Sequence, residues 1–329
     1  MTPDTILQAF PSKTALVVGD ICLDRWCTYD PAMSEPSRET GIPRIAVIST
    51  EVTAGAGGTV ANNLAALGIG RVAVLGVIGS DGFGHELVDA LNRTGISPEL
   101  LIRSSTLPTF TYTKLLNAVT CEEDQPRVDF INAGHIPDHE EHLLLEHLRT
   151  FAGAFDVIFV ADQAETQRGG AVTAGMRNLL SELATQEPSK VIWTDSRVRS
   201  QLFRRVTLKP NQKEAEIACR ELLGCIDYAR FRQEVNAPLL FVTQGAGGVR
   251  VVSEAGETVV PTRPVGKPVD ICGAGDSFSA GAAMALAISG SPIDAARFGN
   301  LVASITVMKK GTGTASPSEV RAAAQEMGW

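Results

Sequence analysis

The sequence has few aromatic residues, no long apolar segment and no recognisable targeting segment. Aromatic side chains make up only 5% of its 329 residues. The most apolar run, at 278–288, is rich in Ala and Gly and too short to span a bilayer, so we expect a buried helix there and no membrane partner. The N-terminal stretch MTPDTILQAFPSK lacks the basic and apolar segments of a signal peptide. These absences predict a cytoplasmic protein.

Several metal and nucleotide motifs are also missing. The six cysteines include no CxxC pair, which argues against a zinc ribbon or a thioredoxin-like site and favours reduced thiols. No GxxxxGK(S/T) motif occurs, which excludes a P-loop. Glycine clusters at 55–60, 245–250 and 273–278 begin with G-x-G, but none has the third glycine of a dinucleotide-binding turn. A dinucleotide-dependent dehydrogenase is therefore not expected.

The chain is acidic, with 29 Lys and Arg against 37 Asp and Glu and a net charge of −8. An acidic chain repels phosphate backbones unless it has a local basic patch. The densest basic stretch has no interleaved aromatic residues and is interpreted as a solvated edge; it comprises Arg197, Arg199, Arg204, Arg205 and Lys209. We therefore expect no nucleic-acid partner.

Short apolar runs alternate with helix-like segments along the chain. Strands are predicted at 14–20, 72–81, 156–162, 191–195 and 239–245. This alternation indicates an α/β fold with a mostly parallel sheet covered by helices on both faces. No linker divides residues 1–329, so we expect a single domain. Ligands of such sheets bind at the carboxyl ends of the strands.

Two β-rich segments, at about 35–54 and 107–131, interrupt the alternation. They are far apart in sequence, and Thr, Val and Ile approach alternation in both. Together they are predicted to form a small β-sheet lid over the strand ends. Two independent surface hairpins are the alternative.

The turn GAGDSF at 273–278 precedes a long Ala-rich helical segment. The backbone N–H groups of Gly273, Ala274 and Gly275 would face the space before that helix, where unpaired donors and the helix dipole form an anion site. Asp276 lies in the first turn, beside that site. It has two interpretations: an acid favoured at a helix start, or the base for phosphoryl transfer to a hydroxyl.

This turn and several other segments resemble the PfkB (ribokinase-like) carbohydrate kinases. DICGAGDSF at 270–278 is similar to the family's C-terminal signature, and KPNQKEAE at 209–216 to its N-x-x-E motif. VTQGAGGV at 242–249 resembles the nucleotide segment, and GDICLDRW at 19–26 the first-strand substrate motif. Within the family, the TKLL stretch and the Q-x-R-x-D-F stretch resemble the heptose-7-phosphate kinase branch. The resemblance implies a three-layer, doubly wound, ribokinase-like fold with a lid.

The resemblance also implies residue roles for catalysis and for ATP. Asp276 would be the base that accepts the proton of the sugar hydroxyl, and the Gly273–Gly275 turn would form the anion hole. The residues that would bind the nucleotide, magnesium or a monovalent cation are Asn211 and Glu214 (Mg²⁺ and phosphates, through water), Thr243, Gly245 and Gly248 (nucleotide), Asn300 (adenine) and Asp270 (a monovalent cation such as K⁺). The Asn211-x-x-Glu214 spacing also fits a helix capping box.

On the substrate side, the resemblance implies that Asp20 and Asp24 contact the sugar. The family has two glycines followed by an Asn that binds sugar hydroxyls. An ungapped comparison puts Thr59 at the Asn position and Gly55 and Ala56 at the glycines. A shifted comparison would instead use Asn62 or the 57–58 glycine pair. The heptose kinases' Asp-Tyr-x-Lys-Gly stretch is also altered, to ADQAETQRGG at 161–170.

These features predict an ATP- and magnesium-dependent kinase that phosphorylates a hydroxyl of a sugar or sugar phosphate. Two alternatives stay open. One is a non-catalytic sugar- or nucleotide-binding regulator on a kinase scaffold, motivated by Thr59. The other is a kinase for a non-sugar alcohol. The resemblance further implies a homodimer formed through the lid, because exposed strand edges tend to be covered.

Overall fold

A mostly parallel eight-stranded sheet forms the centre of the structure, a computed structural model that describes residues 1–164, 166, 169–327 and 329. The strands in the described residues are β1 (Thr14–Gly19), β2 (Ile21–Tyr29), β3 (Val47–Ala56), β4 (Arg71–Leu75), β5 (Val77–Gly79), β6 (Ile102–Ser104), β7 (Thr111–Asn117), β8 (Val128–Phe130), β9 (Val157–Asp162), β10 (Val191–Ser196), β11 (Thr207–Leu208), β12 (Leu240–Thr243), β13 (Val249–Ser253) and β14 (Gly256–Val260). The large sheet has the order β14-β13-β12-β11-β10-β9-β1-β4. Its six strands from β12 to β4 are parallel, and β13 and β14 add an antiparallel edge.

Helices cover both faces of this sheet. The α-helices in the described residues are α1 (Pro3–Ala9), α2 (Gly57–Ala66), α3 (Gly82–Arg93), α4 (Asp138–Phe151), α5 (Ala174–Gln186), α6 (Gln212–Leu223), α7 (Tyr228–Glu234), α8 (Ala274–Ser289), α9 (Pro292–Thr306) and α10 (Pro317–Glu326). In β1, Ala15 and Val17 join one buried cluster with α2, α8 and α9. Leu16 and Val18 join a second cluster with α4, α5 and α6. Successive strand residues point to opposite faces, so the predicted three-layer fold is confirmed.

A smaller sheet with the order β3-β2-β7-β8 lies beside the large one. The two predicted β-rich segments meet in it, because β2 pairs with β3 on one side and with β7 on the other. The accessory sheet is therefore confirmed, and two independent hairpins are not observed. The segments predicted from sequence omitted β2, which supplies the middle strand.

The single strand predicted at 72–81 is wrong. The chain forms β4, breaks at Gly76 and continues as β5, which pairs with β6 in a separate two-stranded sheet. A Cβ on Gly76 would lie 2.5 Å from the carbonyl oxygen of Gly19. This close approach of two backbones explains why a glycine interrupts the strand. Among the helices within the described ranges, none is both long and apolar enough to cross a bilayer.

Candidate active site

Two clefts lie at the carboxyl ends of the parallel strands, on opposite sides of the turn at Gly273–Asp276. The first, which we call the lid cavity, is covered by β2 and β7 of the small sheet. Its lining consists of Asp24, Arg25, Trp26, Ala56, Thr59, Tyr112, Lys114, Arg127, Gln163, Arg197, Cys272, Gly273, Asp276 and Thr312. The second, the outer cleft, is more apolar. Its lining includes Thr243, Gly245, Ala246, Gly248, Val265, Pro268, Ile271, Ala274, Gly275, Phe278, Asn300, Ala303 and Val307.

The turn itself is shaped by Gly273, which is the N-cap of α8. Its φ of 76° is a left-handed conformation that favours glycine. A Cβ at Gly273 would lie 3.3 Å from the Cγ2 atoms of both Thr59 and Thr312. The backbone N–H groups of the first helical turn point out of the helix, although that of Ala274 donates to the Ile271 carbonyl at 3.2 Å. The turn therefore places the backbone N–H groups at the start of α8 between the two clefts.

Asp276 lies in the first turn of α8 and faces the lid cavity. Burial and the negative charge of Asp195 raise its pKa to about 7, although Lys209 and Arg197 act in the opposite direction. A carboxyl group with this pKa is partly ionised at neutral pH and can accept a proton from a substrate hydroxyl. The role of Asp276 as the general base stays a prediction.

Asp24 is the second acid of the lid cavity. Burial raises its pKa to about 6, while Lys114 and the thiol of Cys22 lower it. Gly55 makes room for this carboxylate, because a Cβ there would lie 2.4 Å from an Asp24 oxygen. Gly55 therefore shapes the cavity from behind Asp24, while Asp24 itself reaches the cavity wall.

Asp20 is not among the residues that line the lid cavity, and its predicted contact with the sugar stays a prediction. Its carboxylate accepts hydrogen bonds from the backbone N–H groups of Gln163, Ala164 and Ala171 at 2.8, 2.9 and 2.7 Å. Burial and the charge of Asp162 raise its pKa, in opposition to those hydrogen bonds. Asp20 anchors the segment after β9, part of which (residues 165, 167 and 168) lies outside the described residues.

Thr59 lies at the start of α2 and lines the lid cavity, as the ungapped comparison predicts. Asn62 points elsewhere: its side chain donates to the Thr53 hydroxyl and the Ala54 carbonyl at 3.1 and 3.0 Å. Thr59, which is 2% exposed, thus belongs to the cavity wall, and the amide of Asn62 is used by contacts within the fold. A role of Thr59 in sugar binding stays a prediction.

Comparison with known proteins decides the family. A profile of the pfkB family carbohydrate kinases matches residues 15–319. The chain belongs to this family. Bifunctional protein HldE of Rhodopseudomonas palustris (strain BisB5) is 30% identical over 325 residues, and its Pelobacter propionicus namesake is 28% identical over 327. The alignments cover 97% and 96% of this chain but only 64% of each relative.

Solved structures confirm the ribokinase-like fold. Ribokinase from Thermotoga maritima superposes with a TM-score of 0.71 at 22% identity, covering 95% of this chain and 99% of that one. Phosphofructokinase-2 from Escherichia coli, in complex with potassium, has a TM-score of 0.70 at 18% identity, covering 96% of this chain and 100% of that one. The family indicated by the sequence motifs is confirmed, and the HldE relatives agree with the predicted heptose-7-phosphate kinase-like branch.

In this pfkB-family chain, Asn211 and Glu214 form a complete capping box at the start of α6. The Asn211 side chain accepts from the Glu214 N–H at 3.0 Å, and the Glu214 carboxylate accepts from the Asn211 N–H at 2.8 Å. Burial and the nearby Asp195 raise the pKa of Glu214, so extra positive charge there would be favourable. Within the part of the chain that the structure describes, no three acids, cysteines or histidines form a closed metal cage. This donor set fits Mg²⁺ held largely by water and phosphates.

Thr243, Gly245, Gly248 and Asn300 line the outer cleft, whereas Asn211 and Glu214 are among the lining residues of neither cleft. Thr243 ends β12, and Gly245 and Gly248 belong to the turn into β13. A Cβ on Gly248 would lie 2.2 Å from the Val260 carbonyl oxygen. Asn300, on α9, donates to the carbonyls of Val260 and Pro261 at 3.1 Å each. These contacts join α9, β14 and the glycine turn into one cleft wall.

Asp270 ties together the loops that flank the anion turn. One of its carboxylate oxygens accepts from the Cys272 N–H at 2.8 Å and the other from the Gly311 N–H at 3.1 Å. Both oxygens therefore have backbone donors in the structure. The predicted monovalent-cation site at this residue stays a prediction.

Sequence reasoning missed most of the cationic side chains that line the lid cavity. Arg25 pairs with Glu86, and its guanidinium lies 4.8 Å from the centre of the Phe83 ring. The other three cations in the lining are Lys114, Arg127 and Arg197. The motif GDICLDRW at 19–26 contains Arg25, the TKLL stretch contains Lys114, and the Q-x-R-x-D-F stretch contains Arg127. The sequence analysis quoted these motifs but assigned no role to their cations.

The solvated-edge interpretation of the basic stretch is wrong for two of its members. Arg199 is 8% exposed and forms an ion pair with the fully buried Asp162. Lys209 is 4% exposed and pairs with Asp195 at 2.5 Å. Buried charges of this kind need partners, and here the partners come from the ends of β9 and β10.

Ala56 has a strained backbone, and Ala56→Gly is expected to stabilise the protein by about 1 kcal/mol. Its φ of 51° and ψ of −121° are rarely adopted by residues with a Cβ. Relief of such strain is worth about 1–3 kcal/mol, against roughly 0.4–1 kcal/mol lost to the greater freedom of glycine in the unfolded chain. Urea unfolding measures the difference. The matched control, Ala61→Gly inside α2, should destabilise; equal destabilisation by both changes would contradict the strain argument.

Proposed function

We propose that this chain transfers the γ-phosphoryl group of ATP to a hydroxyl group of a sugar or sugar phosphate. The supporting observation is the position of the turn at Gly273–Asp276. Gly273 and Asp276 line the lid cavity, and Ala274 and Gly275 line the outer cleft. A nucleotide in the outer cleft and an acceptor in the lid cavity would therefore meet at a helix start, with a carboxyl group of suitable pKa beside them.

The reaction uses Asp276 as the base. The acceptor hydroxyl loses its proton to the Asp276 carboxylate as its oxygen forms a bond to the γ-phosphorus. The bond from that phosphorus to the bridging oxygen breaks, and ADP leaves with the electron pair. Backbone N–H groups at the start of α8 stabilise the charge on the transferring group. The small sheet covers the cavity and excludes water, which would otherwise compete with the acceptor.

Magnesium would be held near Glu214 and Asn211 through water, and it supplies neutralisation of phosphate charge when bound. The capping box keeps the Glu214 carboxylate at the start of α6, where the helix dipole also favours anions. The hydrogen bonds between Asn211 and Glu214 thus fix the position of the carboxylate that would face the magnesium. Binding of K⁺ beside Asp270 is a separate proposal.

The charge of the lid cavity favours a phosphorylated acceptor. Four cationic side chains line it, and three of them form ion pairs with acids beside the lining: Arg25 with Glu86, Lys114 with Glu123 and Arg127 with Asp129. Arginine and lysine are the usual partners of phosphate groups. A phosphate group on the acceptor could replace these acids as a partner of the cations, an exchange that a neutral sugar cannot make. We therefore place sugar phosphates ahead of free sugars as acceptors.

We also propose that residues 1–329 form a single domain and that the protein is cytoplasmic. We further propose that it forms a homodimer through the small sheet. The edge strands β3 and β8 have exposed apolar side chains, including Val47 and Ile48 on β3 and Val128 and Phe130 on β8. Exposed apolar strand edges are usually covered by a partner. Sedimentation of the purified chain would test the dimer.

The proposed function is tested by ADP release from Mg-ATP with a panel of acceptors. The panel pairs each sugar with its phosphate and includes heptose 7-phosphate and simple non-sugar alcohols. We expect turnover with a sugar phosphate and at least about tenfold lower kcat/KM with the matching free sugar, the loss that follows from one unmade charged contact. Lys114→Met should remove much of that difference.

A second candidate function is favoured by Thr59, which the ungapped comparison places at the position of the family's sugar-binding Asn. A single hydroxyl offers fewer hydrogen bonds than a carboxamide. If no acceptor is phosphorylated although the chain binds both ATP and a sugar phosphate by calorimetry, a non-catalytic binding role replaces the kinase proposal. Turnover with a non-sugar alcohol alone would instead favour a different acceptor class.

A further inference from the structure

A buried ion pair lies beneath the anion turn. Lys209 follows β11, and its ammonium is 2.5 Å from the carboxylate of Asp195 in β10. The backbone N–H of Lys209 donates to the Thr194 carbonyl at 2.9 Å, which fixes the start of the side chain. Lys209 is 4% exposed and appears in the lining of neither cleft. Its ammonium is therefore held by protein alone.

The ammonium lies directly behind Gly275. A Cβ built on Gly275 would be only 3.1 Å from the Lys209 Nζ atom. Gly275 lines the outer cleft on its other side and is bonded to Asp276. The absence of a side chain at Gly275 thus lets a fixed positive charge approach the backbone between the two clefts.

Charged groups of both signs act on Asp276. Asp195 and Asp24 raise the pKa of Asp276, whereas Lys209 and Arg197 lower it. The thiols of Cys22 and Cys272 also lie within electrostatic range of this carboxyl group. The carboxylate of Asp195 is the direct partner that this buried ammonium needs.

We propose that Lys209 is a positioning residue for phosphoryl transfer: anchored by Asp195 behind Gly275, its ammonium supplies positive charge to the anion turn. This inference rests on the proposed function. It assigns Lys209 no contact with either substrate. The charge acts through Gly275 and Asp276, at short range and away from solvent, where electrostatic effects are strong.

A purely structural role makes a different prediction. If Lys209 only neutralised Asp195, then removing both charges would restore the protein, because a buried ion pair can often be replaced by neutral groups at little cost. Removing Lys209 alone would leave a buried unpaired carboxylate and destabilise the fold. The two roles therefore separate in the double variant.

The experiment compares Lys209→Met, Asp195→Asn and the double variant with the wild type, using kcat, KM and urea unfolding. We expect Lys209→Met to lower kcat by about tenfold, less than the loss on removing a donor that contacts the transferring group, with little change in either KM. The double variant should recover stability while kcat stays low. Recovery of kcat together with stability would overturn the proposal.

A readout that needs no turnover separates this inference from the proposed function. The carboxyl carbon of Asp276 can be titrated by ¹³C NMR and assigned with Asp276→Asn. Lys209→Met should raise the titration midpoint by roughly one pH unit, and Asp195→Asn should lower it. Unchanged midpoints would overturn the proposal. A wild type without kinase activity would contradict the proposed function alone and leave this titration as the test of Lys209.

Discussion

Replacement of Asp276 by Asn is expected to lower kcat by about 10²–10⁴-fold, the usual contribution of a general base. The carboxamide has nearly the same shape as the carboxyl group but cannot accept the hydroxyl proton. Asp276 lies on the lid-cavity side of the turn, so the outer cleft should still bind ATP with its original affinity. Steady-state ADP release and calorimetric ATP titration measure the two effects separately.

The pH dependence supplies a second signature of the same residue. Because the base works only when deprotonated, kcat/KM of the wild type should rise as pH increases through about 7, the pKa of Asp276. Asp276→Asn should lose this acidic limb along with most of its activity. A profile that stays flat between pH 5.5 and 8, values on either side of that pKa, would contradict the assignment.

Stability gives a control that the fold survives the substitution. The folded pKa of about 7 lies above the ordinary value of 3.8, so the folded state binds this proton more tightly than the unfolded chain. The contribution of Asp276 is therefore complete below pH 3.8 and is lost as pH rises through 7. Above pH 7, Asp276→Asn should be at least as stable as the wild type.

The chain offers a matched control for the helix-start effect. Asp294 occupies the corresponding first-turn position of α9 and forms an ion pair with the N-terminal amine. Asp294→Asn removes the same charge from a helix start outside both clefts. It should leave kcat within about twofold, as surface changes away from a site usually do. If Asp276→Asn and Asp294→Asn lose kcat equally, Asp276 only stabilises the start of its helix and is not the base.

The parts of the site that sequence could predict are local. The turn at Gly273–Asp276 combines glycines, a helix start and an acid within four consecutive residues, and hydrogen bonds of a helix start are set by neighbours in sequence. The capping box of Asn211 and Glu214 is local in the same sense, and it forms as the spacing indicated.

Residues whose roles depend on distant partners could not be assigned from sequence. Asp20 and Asp24 are both acids that follow β1 closely. The carboxylate of Asp20, however, accepts hydrogen bonds from backbone N–H groups more than 140 positions away. Lys209 lies in what looks like an exposed charge run, and its partner Asp195 comes from a neighbouring strand. Strand order brings such pairs together, and one sequence does not contain that order.

The small sheet shows the same limit at the level of strands. Alternation of β-branched residues identified the segments that contain β3 and β7. It did not identify β2, because only Asp20 separates the end of β1 from the start of β2. The change of direction depends on Gly19, whose Cβ would lie 2.3 Å from the Ala161 carbonyl oxygen.

The second large effect is expected at Arg199, which holds the segment after β9 in place. Its guanidinium forms an ion pair with Asp162, which is fully buried, and also donates to the carbonyls of Thr166 and Ala164. The Ser196 hydroxyl donates to the same carboxylate at 2.6 Å. Arg199→Met would leave the Asp162 charge without its main partner. We expect a loss of about 3–5 kcal/mol in the free energy of unfolding, measured with urea.

A function for this ion pair follows from its neighbours. Gln163 is adjacent to Asp162, lines the lid cavity and donates its backbone N–H to Asp20. Loosening the segment should therefore raise KM for the acceptor more than KM for ATP. Asp162→Asn combined with Arg199→Met removes both charges and should recover most of the stability, because neither charge is left unpaired. If the double variant is as unstable as Arg199→Met alone, packing of the long arginine side chain, and not its charge, supports this wall of the cavity.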